Sequence, residues 1–234
     1  MKKRNILLAI IGMFSLMALA NKTTAQIIIQ ADITNGTEPI EFAFLLSSSG
    51  SRVPVGASVD FFWFDSTSGS QDLTTIQSWT AASSWSASTL FSRKLGSLLV
   101  GDGYADFGSS AAGLFLGQVD ATLPTTPVTA VGKSLGLVVT YGTEIGVFKI
   151  DGALPPNGST ESPALFPALL ANVNSSGVLV GSFVSETGPY TFPGDPDPIA
   201  LSGEGYKLIP EPSTGALMMI GAVGLVALRR LRKV

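Results

Sequence analysis

The sequence predicts a mainly β protein: an antiparallel β-sandwich, jelly-roll-like, between a cleavable N-terminal signal peptide and one C-terminal transmembrane helix. Three observations carry this expectation. The 234 residues include 26 Gly and 14 Pro, which interrupt the body too often for long helices. Between these breaks lie short runs of β-branched, aliphatic and aromatic residues, the composition of strands. The longest uncharged apolar stretches sit at the two ends, each beside a basic cluster.

In chain order, Lys2, Lys3 and Arg4 form a positive start and residues 6–20 a 15-residue apolar run. That length suits a signal peptide better than a membrane span. Small residues follow, and Thr23-Thr24-Ala25 before Gln26 is the preferred cleavage site, with Ala18-Leu19-Ala20 second. The chain therefore divides into a signal peptide at 1–25, a β-domain at 26–209 and a tail at 210–234.

Within the domain, Ile27-Ile28-Ile29 running on to Ile33, residues 42–46 and residues 59–64 read as the first strands. The third of these holds Phe61-Phe62-Trp63-Phe64, so two aromatics fall on each face. Residues 70–80 are the one helical stretch, with Asp72 as cap and Leu73, Ile76 and Trp79 on one side. Leu114 to Leu116 reads as a strand limited by Gly113 and Gly117. Residues 135–141 and 144–150 form a hairpin around Gly142-Thr143. Residues 178–184 and 206–209 complete the set. The proline-rich pieces 154–167 and 189–198 read as surface loops.

Charge and missing residue types narrow the function. Charged residues make up 13% of the chain, against about 25% in typical proteins, and the mean hydropathy is +0.40. Between Gln26 and Ile209 there are six Lys and Arg against sixteen Asp and Glu, a net charge of −10. Phosphate backbones need clustered cations, so nucleic acid is not an expected partner. There is no Cys and no His. Disulfides, thiolate and imidazole metal sites, cysteine nucleophiles and Ser-His-Asp catalysis are therefore excluded. No cofactor is expected.

The candidate chemistry in the body is weak. Asp102 and Asp106 lie four apart in a glycine-rich stretch, and Asp195 and Asp197 flank Pro196. These are the calcium candidates, but the first does not match an EF-hand's spacing, and solvated turns explain both better. Asp60 and Asp65 flank the aromatic run as a carboxylate pair of the kind glycosidases use, with nothing to place them opposite each other. Trp63, Trp79 and Trp85 with the three phenylalanines suit a sugar platform or a packed core, and core packing is the stronger reading.

The tail is different. Pro210-Glu211-Pro212 precedes 16 uncharged residues, 213–228, and then Arg229-Arg230-Leu231-Arg232-Lys233. As a helix the apolar segment spans about 24 Å, short of a hydrocarbon core of about 30 Å. Snorkelling arginines and local thinning cover the difference, and the basic cluster orients the end toward the cytoplasm. The prolines disfavour helix at Ile209 and Glu211, leaving the motif extended outside the bilayer. Together, Pro-Glu-Pro, a short helix containing Gly215, Gly221 and Gly224, and an Arg-rich end resemble the PEP-CTERM sorting signal of bacterial surface proteins. The resemblance covers the last tenth of the chain. It implies recognition by exosortase, a membrane-embedded thiol transpeptidase or protease, with Pro210, Glu211 and Pro212 as recognised positions and Arg229 and Arg230 as part of the signal.

The resulting expectation is a non-enzymatic bacterial protein, translocated by the export machinery and held in the membrane by its C-terminal helix. Its destination is the cell surface or extracellular matrix. The alternative is a carbohydrate-binding surface module, calcium-assisted, with extracellular polysaccharide as partner.

Overall fold

The computed structural model describes residues 24–32, 43–104, 111–124, 129–155, 164–169, 175–190 and 199–211. Among the described residues eleven strands form three sheets. β3 (Ser58–Phe64), β4 (Lys94–Leu99), β6 (Ser134–Tyr141), β7 (Glu144–Ala153) and β9 (Val178–Val180) make a five-stranded sheet in the order β4-β3-β6-β7-β9. β1 (Thr24–Asp32), β5 (Leu116–Pro124) and β8 (Ala164–Leu169) make a second, ordered β5-β1-β8. β2 (Ala43–Leu46), β10 (Ser182–Tyr190) and β11 (Ile199–Lys207) make a third, ordered β10-β11-β2. The mainly β expectation holds and most pairings are antiparallel. Two are parallel, β1 with β8 and β2 with β11, a departure from an all-antiparallel arrangement.

β3 organises the interior. Its alternation sends Val59, Phe61 and Trp63 to one face and Asp60, Phe62 and Phe64 to the other, and all are buried. On the first face, Leu135, Leu137 and Val139 of β6 join Ile27, Ile29, Leu45, Val119, Leu123, Phe166 and Tyr206 in the main core. Two glycines leave room for side chains between β4 and β5. A Cβ on Gly96 of β4 would stand 2.1 Å from Val119 of β5, and one on Gly117 of β5 2.9 Å from Leu98 of β4.

The second face is covered by helical turns. α1 (Gln71–Gln77) is capped by Ser70, whose Oγ accepts from the Leu73 N–H at 3.3 Å. Asp72 is not the cap expected from the sequence. It lies inside the first turn, accepts from the Asp65 N–H at 2.8 Å and pairs with Arg93. α2 (Ala82–Ala87) and a 3-10 turn (Thr89–Arg93) follow. Ile76, Trp79, Trp85 and Leu90 from these turns pack on Phe62, Phe64, Val138, Ile145, Val147 and Val180. Ring centroids of Phe62, Trp79 and Trp85 lie 5.0–6.3 Å apart, and each such pair adds about 0.5–1.5 kcal/mol beyond area burial.

Several elements differ from the sequence reading. Gly113 to Phe115 are not a strand. Gly113 takes φ +76° and its N–H bonds to the Val53 carbonyl, and pairing starts at Leu116. Residues 178–184 are two strands in two sheets, broken at Gly181. There φ is +122° and a Cβ would meet the Lys207 carbonyl oxygen at 2.5 Å, so only glycine fits. Residues 164–169, expected in part as loop, form β8 alongside β1. The 135–150 hairpin stands as expected, turning at Gly142 with φ +59° and a negative φ at Thr143, the combination a II′ turn uses. β1 begins at Thr24, and Thr24 and Ala25 pair with Pro124 and Leu123.

Candidate functional site

The chain's exit from the sheets, at residues 207–211, is built from three segments. β11 runs to Lys207, and the Leu208 N–H then donates to the Leu46 carbonyl at 2.8 Å. Leu208 is buried in the main core. Ile209 pairs with Ile145 at the start of β7 through two backbone hydrogen bonds, 3.2 and 2.9 Å, and packs against the second core. Pro210 has no N–H to continue the ladder, and both Pro210 and Glu211 are exposed. Beside this exit, Glu144 accepts from the Ser48 N–H at 2.8 Å and from the Ser48 hydroxyl. This ties the turn after β2 to the β6–β7 hairpin. The Ala82 N–H donates to the Thr143 carbonyl at 3.0 Å and docks α2 on the same hairpin.

The other candidates are occupied by structural work. Asp102 accepts from the Leu99 N–H at 2.7 Å and closes its own turn. Asp106, Asp195 and Asp197 lie outside the described residues, as do Pro212, Arg229 and Arg230. Among the described residues no group of three or more acidic side chains converges as a metal site.

Asp60 is buried and accepts from Trp85 Nε1 at 2.8 Å, from Ser58 Oγ at 2.9 Å and from Lys94 Nζ at 2.8 Å. Burial pushes its carboxyl up, but Lys94 and the hydrogen bonds from Trp85, Ser58 and Ser97 together hold it below the usual carboxylate range. Asp65 accepts from Lys133 Nζ at 2.7 Å and from Thr67, which hold it well below that range. A glycosidase acid needs a raised value, and both carboxylates move the other way. Trp63, Trp79 and Trp85 are all buried, so the aromatic set forms cores. Phe91 and Tyr141 are exposed aromatics, one on the 3-10 turn and one at the β6–β7 hairpin.

No helix among the described residues is long and apolar enough to cross a membrane, and residues 213–228 lie outside that set. No curated protein and no solved structure matches the chain. Residues 208–233 match the family described as the PEP-CTERM protein-sorting motif. That match takes in Leu208 and Ile209, so the motif overlaps the folded domain by two residues. The chain carries a PEP-CTERM sorting motif, the mark of an exported protein handled by exosortase.

Proposed function

We propose that this protein is a non-enzymatic component of the bacterial cell surface or extracellular matrix. Its signal peptide at 1–25 is removed on export, taking the first two residues of β1 with it, and the helix at 213–228 holds it in the membrane. Exosortase then acts at Pro210-Glu211-Pro212, with Arg229 and Arg230 marking the cytoplasmic end. The observation that carries the reading is the junction. The fold closes on Leu208 and Ile209, and the exposed Pro210 and Glu211 follow at once. Proline's missing N–H and its restriction of the preceding residue support an extended segment that an enzyme at the membrane can reach.

Replacing Pro210-Glu211-Pro212 with three alanines tests this. Cell fractionation is expected to find the variant retained in the inner membrane, and release equal to the unaltered protein overturns the reading. The carbohydrate-binding alternative has little support, because its tryptophans are buried.

A further inference from the structure

The five-stranded sheet has a transverse row that reaches the exit point. Leu99 pairs with Ser58, Ser58 with Thr140, Thr140 with Ile145, and Ile145 with Ile209. β7 runs away from this end of the sheet, and Ile209 pairs with it antiparallel. The chain therefore leaves toward the same end, where β4 and β6 finish and β3 begins. Three exposed large hydrophobics lie here: Val55 at 52%, Leu99 at 46% and Tyr141 at 41% exposure. Val55 is placed by Gly101, whose missing Cβ leaves room for it, and by the Gly56 N–H, which donates to the Val100 carbonyl at 2.8 Å.

We propose that this rim rests on the outer surface of the bilayer, with Val55, Leu99 and Tyr141 at the headgroup–acyl boundary. The inference rests on the reading above that residues 213–228 sit in the membrane. Four peptide steps separate Ile209 from Ser213, so the Ile209 corner of the rim stands no farther than about 14 Å from the apolar segment even when fully extended. Neighbouring strands lie about 4.8 Å apart, which puts Leu99 about 19 Å across the sheet from Ile209. The rim is thus a broad footing beside the tether. Tyrosine is enriched at membrane interfaces because its ring is apolar and its hydroxyl wet. Asp102, Glu144 and the exposed Glu211 are acidic groups near the rim, and no Lys or Arg occurs among the rim residues named. The contact is therefore with uncharged lipid surface and does not depend on anionic headgroups.

The chain lacks cysteine, so single substitutions Val55→Cys, Leu99→Cys and Tyr141→Cys give unique labelling sites at exposed positions. Leu165→Cys, 58% exposed on β8, serves as the control, and Ala222→Cys reports on the apolar segment. Each full-length variant, labelled with one environment-sensitive fluorophore, is placed in phosphatidylcholine nanodiscs with or without shallow doxyl-labelled lipid. The expected result is lipid quenching at 55, 99, 141 and 222, none at 165, and no change on raising salt. Quenching at 222 without quenching at 55, 99 and 141 overturns this proposal alone. Equal quenching at 165 and the rim overturns it as well, since the domain then has no fixed face to the bilayer. No quenching at 222 removes the anchor and this proposal with it.

Discussion

Replacing Asp60 with alanine tests how the helical cover is fastened to the sheet. The carboxylate binds β3 to β4 through Lys94 and to α2 through the Trp85 indole. Its removal orphans the Trp85 N–H, and Trp85 is only 2% exposed, so no water replaces the partner without opening the packing. An unsatisfied buried donor costs about 1–3 kcal/mol. Lys94 keeps 29% side-chain exposure and can turn to solvent, so its loss of a partner adds at most about 1 kcal/mol. The expected cost is about 1–4 kcal/mol, a large share of the roughly 5–15 kcal/mol typical of a folded domain. A double-mutant cycle with Trp85→Phe isolates the indole bond. In the Asp60→Ala background the second change removes the orphaned donor, so the double variant loses less than the sum of the two single losses by about 1–2 kcal/mol. Urea unfolding of the full chain in mild detergent supplies the free energies. A cost below about 0.5 kcal/mol for Asp60→Ala, which is the usual range for a surface site, refutes the latch, as does strict additivity in the cycle.

The remaining predictions concern acid and packing. Asp60 and Asp65 are held below the ordinary aspartate value of 3.8 in the folded state. Their contribution is therefore present above that pH and lost as pH falls through the folded values. Stability measured from pH 6 downward is expected to decline in strong acid, and Asp60→Asn is expected to flatten that decline. Gly136→Ala would place a Cβ 2.3 Å from Phe62, a fully buried ring. Overpacking of this kind costs about 1–3 kcal/mol, read as a lower urea midpoint, and an unchanged midpoint would mean the aromatic layer is loose.

Much of the fold was legible because its signals are local. The Phe61-Phe62-Trp63-Phe64 run announced a strand with apolar side chains on both faces, and β3 is buried on both. Gly142 announced the hairpin. Other features depend on distant partners. Gly181 reads as one more glycine until Lys207 is seen beside it, and β8 contains Pro167 in a proline-rich stretch that alone resembles a loop. Asp72 had the residue type of a cap, but Ser70 took that role and left its carboxylate for Asp65 and Arg93. The sorting signal was legible because it is a linear motif. The strand reading of residues 206–209 already put its first two residues at a sheet; that Ile209 pairs with Ile145 was not legible, since the two meet only after the whole domain has folded.

β11 is the central strand of its sheet, between β10 and β2. A force applied through the tail therefore enters the domain along a strand held on both sides. The antiparallel bonds to β10 lie perpendicular to the strand, and the pull runs parallel to it. They must then shear together and cannot peel one by one. The tail is thus joined to a strand that resists the pull in shear.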